Sequence, residues 1–214
     1  MKVKVVTRIL EANDRIAAEN RKLFNDAGVF VINLMSAPGA GKTSLVEKTI
    51  RELSIKLRTG VIEGDIAGTD DAQRIESLGI PVVQINTGGA CHLDANMINE
   101  AIADLPLKDL DLLIIENVGN LVCPAEFKVG EDMKVMILSI TEGDDKPLKY
   151  PLMFQESSAL ILNKIDLLPY ADVNIGKIKK SSLSLNPDLR IFEVSCKTGE
   201  GVAGWTEWLR SLIK

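Results

Sequence analysis

Val29-Phe30-Val31-Ile32-Asn33-Leu34-Met35-Ser36-Ala37-Pro38-Gly39-Ala40-Gly41-Lys42-Thr43-Ser44-Leu45 is the stretch that decides the fold. The apolar run Val29–Met35 reads as a buried strand, and the segment from Lys42 to Leu57 has helical period. Strand, glycine-bearing loop and helix, in that order, are the setting in which a G-x-x-x-x-G-K-[ST] pattern cradles phosphate. Gly39 and Gly41 let backbone N–H groups converge on phosphate oxygens without a Cβ in the way. Ala40 and Ser44 complete the cradle, and the helix N-terminus adds its partial positive charge. Lys42 is the expected bridge between the β- and γ-phosphates, which also makes it a catalytic candidate, and the Thr43 hydroxyl is the expected ligand of Mg²⁺. Ser36 stands where the pattern has its first glycine, so a positive φ there would carry strain.

Outward from this loop, apolar runs alternate with helical stretches. The expected strands are Val29–Met35, Gly60–Glu63, Pro81–Ile85, Leu112–Glu116, Lys134–Ile140, Ala159–Asn163 and Arg190–Val194. Such Val/Ile/Leu-rich runs are buried on both faces. The expectation is an α/β P-loop NTPase: one domain over residues 1–214, with a mostly parallel sheet, helices on both faces and an N-terminal helix over about 5–27. In that helix Ile9, Leu10, Ile16, Ala17, Leu23 and Phe24 recur in pairs seven apart, a narrow stripe for packing on the domain's own sheet or on a partner.

The bulk composition restricts function. With 214 residues, 46% hydrophobic, 26% charged and a net charge of −5, the chain has no basic field to attract nucleic acid. No apolar run reaches membrane-span length and the first twenty residues hold no signal-type apolar core, so a cytoplasmic protein without a membrane partner is expected. In a reducing compartment the three cysteines serve as thiols rather than disulfides.

Asn163-Lys164-Ile165-Asp166 follows the apolar run from Ala159, placing it at a strand's C-terminal end, where ligands of open α/β sheets bind. A carboxylate at Asp166 can accept from both N1–H and the 2-amino group of guanine, whereas adenine would leave it unpaired. Lys164 can lay its stem along the base, and Asn163 can tie the two nucleotide loops together. Ser195-Cys196-Lys197, after the run from Arg190, can offer backbone N–H to the guanine O6. GTP and GDP are therefore the expected nucleotides.

Asp65 and Glu116 each close a strand, as Val61-Ile62-Glu63-Gly64-Asp65 and Leu113-Ile114-Ile115-Glu116-Asn117-Val118-Gly119. Both are candidate Mg²⁺ ligands, direct or through water, and catalytic candidates, with Asp65 favoured for ordering the attacking water. The Gly119 N–H can sense the γ-phosphate. Asn120 follows Gly119, so the water-orienting glutamine of Ras-like enzymes is absent and slow intrinsic turnover is expected.

The sole histidine, His92, adjoins Cys91, and Cys123 lies just past the Glu116–Gly119 segment. Thiolate and imidazole suit Ni²⁺ or Zn²⁺ better than Mg²⁺. Three ligands leave one position for water, another side chain or a second subunit.

Taken together, SAPGAGKTSL (36–45), VIEGD (61–65), TGGACHLDA (87–95), ENVGNLVCP (116–124) and NKIDLLPY (163–170) resemble the HypB family, the nickel-insertion GTPases of nickel–iron hydrogenase maturation, over nearly the whole chain. The resemblance implies a dimer-forming P-loop GTPase related to UreG, with Cys91, His92 and Cys123 forming a nickel or zinc site at or beside a nucleotide-dependent dimer interface. It implies GTP hydrolysis that gates nickel delivery to the hydrogenase large-subunit precursor, with a HypA-type nickel chaperone as partner. Ser36 departs from the family's usual glycine. The CxxCGC motif and His-rich tract of some members are not found in this sequence, so nickel storage is not expected. Related metallochaperone GTPases for urease or a cobalamin enzyme share the nucleotide loops. A kinase on the same fold would have no use for the guanine motif, and a metal carrier can use nucleotide purely as a switch.

Asp166→Asn should reduce the preference for GTP over ATP by about tenfold or more, since one guanine contact is lost. Competition binding against both nucleotides checks this, and unchanged selectivity would remove Asp166 from the base pocket.

Overall fold

Parallel strands need cover on both faces, and the alternation of side chains along each strand supplies it here. The computed structural model describes residues 2–66 and 68–213, with side chains from Leu10 onward. The strands are β1 (Phe30–Ser36), β2 (Thr59–Asp65), β3 (Val82–Asn86), β4 (Leu112–Glu116), β5 (Met133–Ser139), β6 (Ala159–Asn163) and β7 (Arg190–Glu193). They form one parallel sheet in the order β3-β2-β4-β1-β5-β6-β7. The helices are α1 (Lys2–Ala27), α2 (Lys42–Leu53), α3 (Asp70–Glu76), α4 (Ala95–Ile102), α5 (Cys123–Glu126), α6 (Lys146–Lys149), α7 (Pro151–Gln155), α8 (Ile175–Leu185) and α9 (Val202–Leu212). The expected α/β architecture, with seven strands and helices on both faces, is the observed one.

Leu112 and Ile114 of β4 face a core with Leu45 and Ile50 of α2 and Trp205 of α9. Leu113 and Ile115, one residue out of phase, face Phe24 of α1 and Ile98 of α4 on the other side. A third cluster joins Met136 and Leu160 of the sheet to Phe154 of α7 and Ile178 of α8. The buried Trp205 donates its indole N–H to Thr49 Oγ1 (3.0 Å), which fixes α9 on α2.

After β1 the chain moves outward to β2 and β3, then returns to insert β4 between β2 and β1 before continuing through β5 on the opposite side. The reversal lies between β1 and β4, and the crevice beyond their C-terminal ends is where such sheets bind ligands.

Helix α1 departs from the expected stripe. The side chain of Ile9 lies outside the described residues; Ile16 is half-buried and Leu23 exposed. Ala17 and Phe24 of that stripe are buried, and Asn13 and Asn20 complete the buried face, at steps of four, three and four. The asparagines are buried because backbone groups await them. Asn13 Nδ2 donates to Lys128 O (2.8 Å) and its Oδ1 accepts from Ala95 N (2.9 Å). Asn20 Nδ2 donates to Ala95 O (2.8 Å) and Val129 O (3.2 Å), and its Oδ1 accepts from Asn99 (2.7 Å). An apolar-only reading overlooks such a face, since an amide can satisfy a donor and an acceptor at once.

Asn20→Ala should destabilise the fold by about 1–3 kcal/mol, because two carbonyls and one amide lose their buried partner. Urea denaturation measures this, and a loss within about 0.5 kcal/mol would mark the contacts as dispensable.

Candidate functional site

The phosphate loop leaves the central strand β1 and turns into α2 through two left-handed glycines, Gly39 at φ 75° and Gly41 at φ 100°. Ser36 is not left-handed: it ends β1, fully buried, so the strain expected of a glycine replacement there does not arise. Its hydroxyl donates to Ala37 O (2.7 Å) and accepts from Lys42 Nζ (3.3 Å), holding the lysine over the loop. The Gly119 backbone approaches Pro38 so closely that a Cβ would lie 3.0 Å from its N and Cα. Ala40 and Ser44 lie in the same loop-and-helix turn, and Ser44 lines the cleft.

Asn163 joins the phosphate loop to the base loop. Its Nδ2 donates to Ala40 O (2.9 Å), while Oδ1 accepts from Lys164 N (2.8 Å) and Cys196 N (3.2 Å). Lys164 is the one left-handed non-glycine among the described residues (φ 66°), and its Nζ donates to Gly39 O (2.7 Å). Ser195 Oγ donates to Asp166 Oδ1 (2.6 Å). The bond to Asn163 occupies the Cys196 N–H, which corrects the expectation for that residue. The Lys197 N–H has no partner among the described residues. Burial pushes the Cys196 thiol up to about 11, which leaves it an inert neutral group.

Below the phosphate loop lies a cleft of about 360 Å³, bounded by Lys42, Thr43, Glu63, Asp65, Asp71, Arg74, Glu116 and Gly119. Thr43 Oγ1 donates to Glu116 Oε1 (2.8 Å). Glu63 sits opposite Glu116 in the β2–β4 register, so the two buried carboxylates share one face of the sheet. Glu63, Asp71 and Glu116 bring carboxylate oxygens within 4.8 Å of one another, and one oxygen each of Glu63 and Glu116 is buried without a hydrogen-bond partner. Burial, reinforced by Glu116 and Asp65, pushes Glu63 up to about 8; burial pushes Glu116 to about 7 against the pull of Lys42 and Thr43. Orphaned oxygens in this acidic pocket fit a hydrated divalent cation held with nucleotide phosphates. Asp65 is half-buried at the mouth of this cleft, with Oδ1 accepting from Ile66 N (2.7 Å). The carboxylates grouped with Glu116 are thus Glu63 and Asp71, to which the sequence reading assigned no role. The β2–β4 register is the signal that identifies Glu63, and it exists only once the strands pair. Arg74 ties Asp71 to Glu47 through ion pairs of 2.9 and 3.0 Å. Asn120 Oδ1 accepts from Val122 N (2.8 Å), so this side chain serves the turn into α5 and does not line the cleft.

Cys91, His92 and Cys123 converge, with ligand atoms within 4.8 Å of one another. The two sulfurs are 3.0 Å apart, and Cys91 Sγ is 3.6 Å from His92 Nδ1. The His92 ring lies on Phe127 (centroids 3.9 Å apart), and burial lowers its pKa despite Asp94 and Glu126, favouring the neutral form that binds metal. The hydrogen bond with Cys91 raises the Cys123 thiol. Two adjacent thiols and one imidazole suit a soft or borderline divalent ion. A separate cleft of about 410 Å³ opens between α1 and the loop before β5, at the other end of the strands, and holds none of these groups.

The family described as CobW/HypB/UreG, nucleotide-binding domain, matches residues 30–193. Hydrogenase maturation factor HypB of Rhizobium leguminosarum bv. viciae is 51% identical over 207 residues, spanning 97% of this chain and 69% of that protein. The crystal structure of hydrogenase maturation factor HypB from Archaeoglobus fulgidus superposes with a TM-score of 0.90 at 38% identity, covering 96% of this chain and 100% of that one. HypB from Helicobacter pylori, solved in complex with nickel, gives a TM-score of 0.89 at 38% identity, with 94% of each chain covered.

Gly41→Ala should lower nucleotide affinity roughly tenfold or more, since its φ of 100° strains an L-residue and its Cβ would lie 2.4 Å from Asn163 Nδ2. Binding of a fluorescent guanine nucleotide tests this, and wild-type affinity would mean that Asn163 yields without consequence.

Proposed function

Because this chain belongs to the HypB hydrogenase maturation factors of the CobW/HypB/UreG nucleotide-binding family, we propose that it binds and hydrolyses GTP and uses that cycle to gate nickel delivery to a hydrogenase precursor. One observation carries the reading: the soft cluster of Cys91, His92 and Cys123 is built from loops that flank the nucleotide cleft, with only the segment Glu116–Cys123 between Mg²⁺ candidate and nickel ligand. Asn163, Lys164, Asp166 and the Lys197 N–H receive the guanine, and Gly39 to Ser44 the phosphates. Mg²⁺ would supply charge neutralisation at the β- and γ-phosphates, held by Thr43 and Glu116 with Glu63 close by. Lys42 stabilises charge developing on the transferred phosphoryl group, Asp65 orders the attacking water from the cleft mouth, and Gly119 senses the γ-phosphate. With no side-chain amide from position 120 in the cleft, turnover is slow until a partner completes the site.

Nickel is the cargo. Three ligands from one chain leave a coordination position for a second copy, so the reading includes a nucleotide- or metal-dependent homodimer. Its partners are a HypA-type nickel chaperone and the hydrogenase large-subunit precursor, its compartment is the cytoplasm, and zinc is the competing ion at the same ligands. No helix among the described residues is long and apolar enough to cross a membrane.

Ni²⁺ titration in GDP and in a non-hydrolysable GTP analogue, followed by affinity and molecular mass, tests the reading. A nickel affinity that differs between the two nucleotides, accompanied by dimerisation in one of them, is the expected result. Cys123→Ala should weaken nickel binding by about tenfold or more while guanine affinity stays near wild type. Equal nickel affinity in both nucleotide states would leave a GTPase without metal gating.

A further inference from the structure

Asn117 is 1% exposed and immediately follows Glu116 at the end of β4. Its Oδ1 accepts from two backbone donors: Val118 N (2.9 Å), on the way to Gly119, and Leu93 N (3.0 Å), the residue after His92. Its Nδ2 donates to Asn33 Oδ1 (3.1 Å) on β1, three residues before the phosphate loop. One carboxamide therefore holds the turn that faces the γ-phosphate and the loop that carries two nickel ligands.

Leu93 is gripped a second time. Its side chain is fully buried over Gly64, where an added Cβ would come within 2.7 Å of it, and Gly64 stands between Glu63 and Asp65 on β2. The residue beside His92 is thus wedged against both carboxylate-bearing strands. Asn33 Nδ2 in turn reaches Glu131 Oε1 (3.5 Å), whose other oxygen accepts from Val129 N (2.7 Å). Lys134, 4.0 Å from Glu131, donates to Ala125 O (2.6 Å) in the helix headed by Cys123. These groups are buried, so water cannot replace a partner that moves away. A shift of the Val118–Gly119 turn must either carry the Asn117 carboxamide, and with it the partner of the Leu93 N–H, or leave the Val118 N–H unsatisfied.

We infer that Asn117 is the positioning residue that transmits nucleotide state to the nickel ligands, its carboxamide binding the Leu93 amide beside His92 to the Val118–Gly119 turn at the phosphates. The inference rests on the gating function proposed above. It assigns the transmission to one side chain that touches neither nucleotide nor metal.

Ni²⁺ affinity is measured for the full chain in GDP and in a non-hydrolysable GTP analogue, for wild type, Asn117→Ala and Asn117→Asp. Wild type should show a ratio between the two states of about fivefold or more. Asn117→Ala should bring the ratio to near one while guanine-nucleotide affinity stays close to wild type. Asn117→Asp, which keeps the acceptor for Leu93 and Val118, should retain most of the ratio. A full ratio in Asn117→Ala overturns the assignment and leaves gating intact. A ratio of one in wild type removes the gating itself, and the assignment with it. Hydrogen exchange of the Leu93 amide in the wild-type protein gives a readout independent of any variant. Its protection should differ between the two nucleotides, and identical protection overturns the proposal even if Asn117→Ala fails to fold.

Discussion

The pairing of β1 with β4, Leu34 opposite Glu116, sets the distances on which the other site elements depend. Two residues beyond Leu34 the chain becomes the phosphate loop, and at Glu116 it becomes the segment proposed to bind the cation and switch. Because the strands are parallel and adjacent, both loops emerge at the same sheet edge, and neither can shift along its axis without breaking the ladder. The next pairing, Glu63 opposite Glu116, places two buried carboxylates side by side. Burial raises the pKa of both, and at Glu63 the neighbouring Glu116 charge adds to it, so the pairing creates a demand for a cation before any ligand arrives.

Buried asparagine recurs wherever distant segments must be held together. Asn163 joins the phosphate and base loops, Asn117 the switch turn and the cysteine–histidine loop, and Asn13 and Asn20 fix α1 to both segments that flank the metal cluster. The carboxamide is suited to this work: it is neutral, so burial costs less than for a charge, and it donates and accepts at once. Each one satisfies main-chain groups that would otherwise be left bare in the interior. The proposed nickel ligands lie at exposed or half-buried positions, yet Leu93 and Ala95 after His92, and Lys128 and Val129 after Cys123, are anchored to these amides.

The result is a frame carrying two candidate ligand sites of different hardness. Carboxylates and a hydroxyl serve the cleft beneath the phosphate loop, and thiols with an imidazole serve the outer cluster, so hard and borderline ions are separated by donor type as well as by place. The polar chain between the sites runs through the core rather than over the surface.

Much of this was legible in one dimension. The strand–loop–helix at Val29–Leu45, the Asn163–Asp166 motif and the adjacent Cys91 and His92 depend on residue type and local order, and local order dictates phosphate loops, strand periodicity and the softness of a donor set. The sequence by itself therefore determined the seven-stranded parallel architecture and marked the segments from which both sites are built. Only the tertiary structure decided which carboxylates face one another, because Glu63 becomes Glu116's neighbour through strand register, a relation between residues more than fifty positions apart. It also decided that Asn13 and Asn20 join Ala17 and Phe24 on the docking face of α1, and that the Cys196 N–H bonds Asn163. Those outcomes turn on which backbone groups are left without partners after the chain has packed, and a residue's own chemistry does not record the vacancy it will fill.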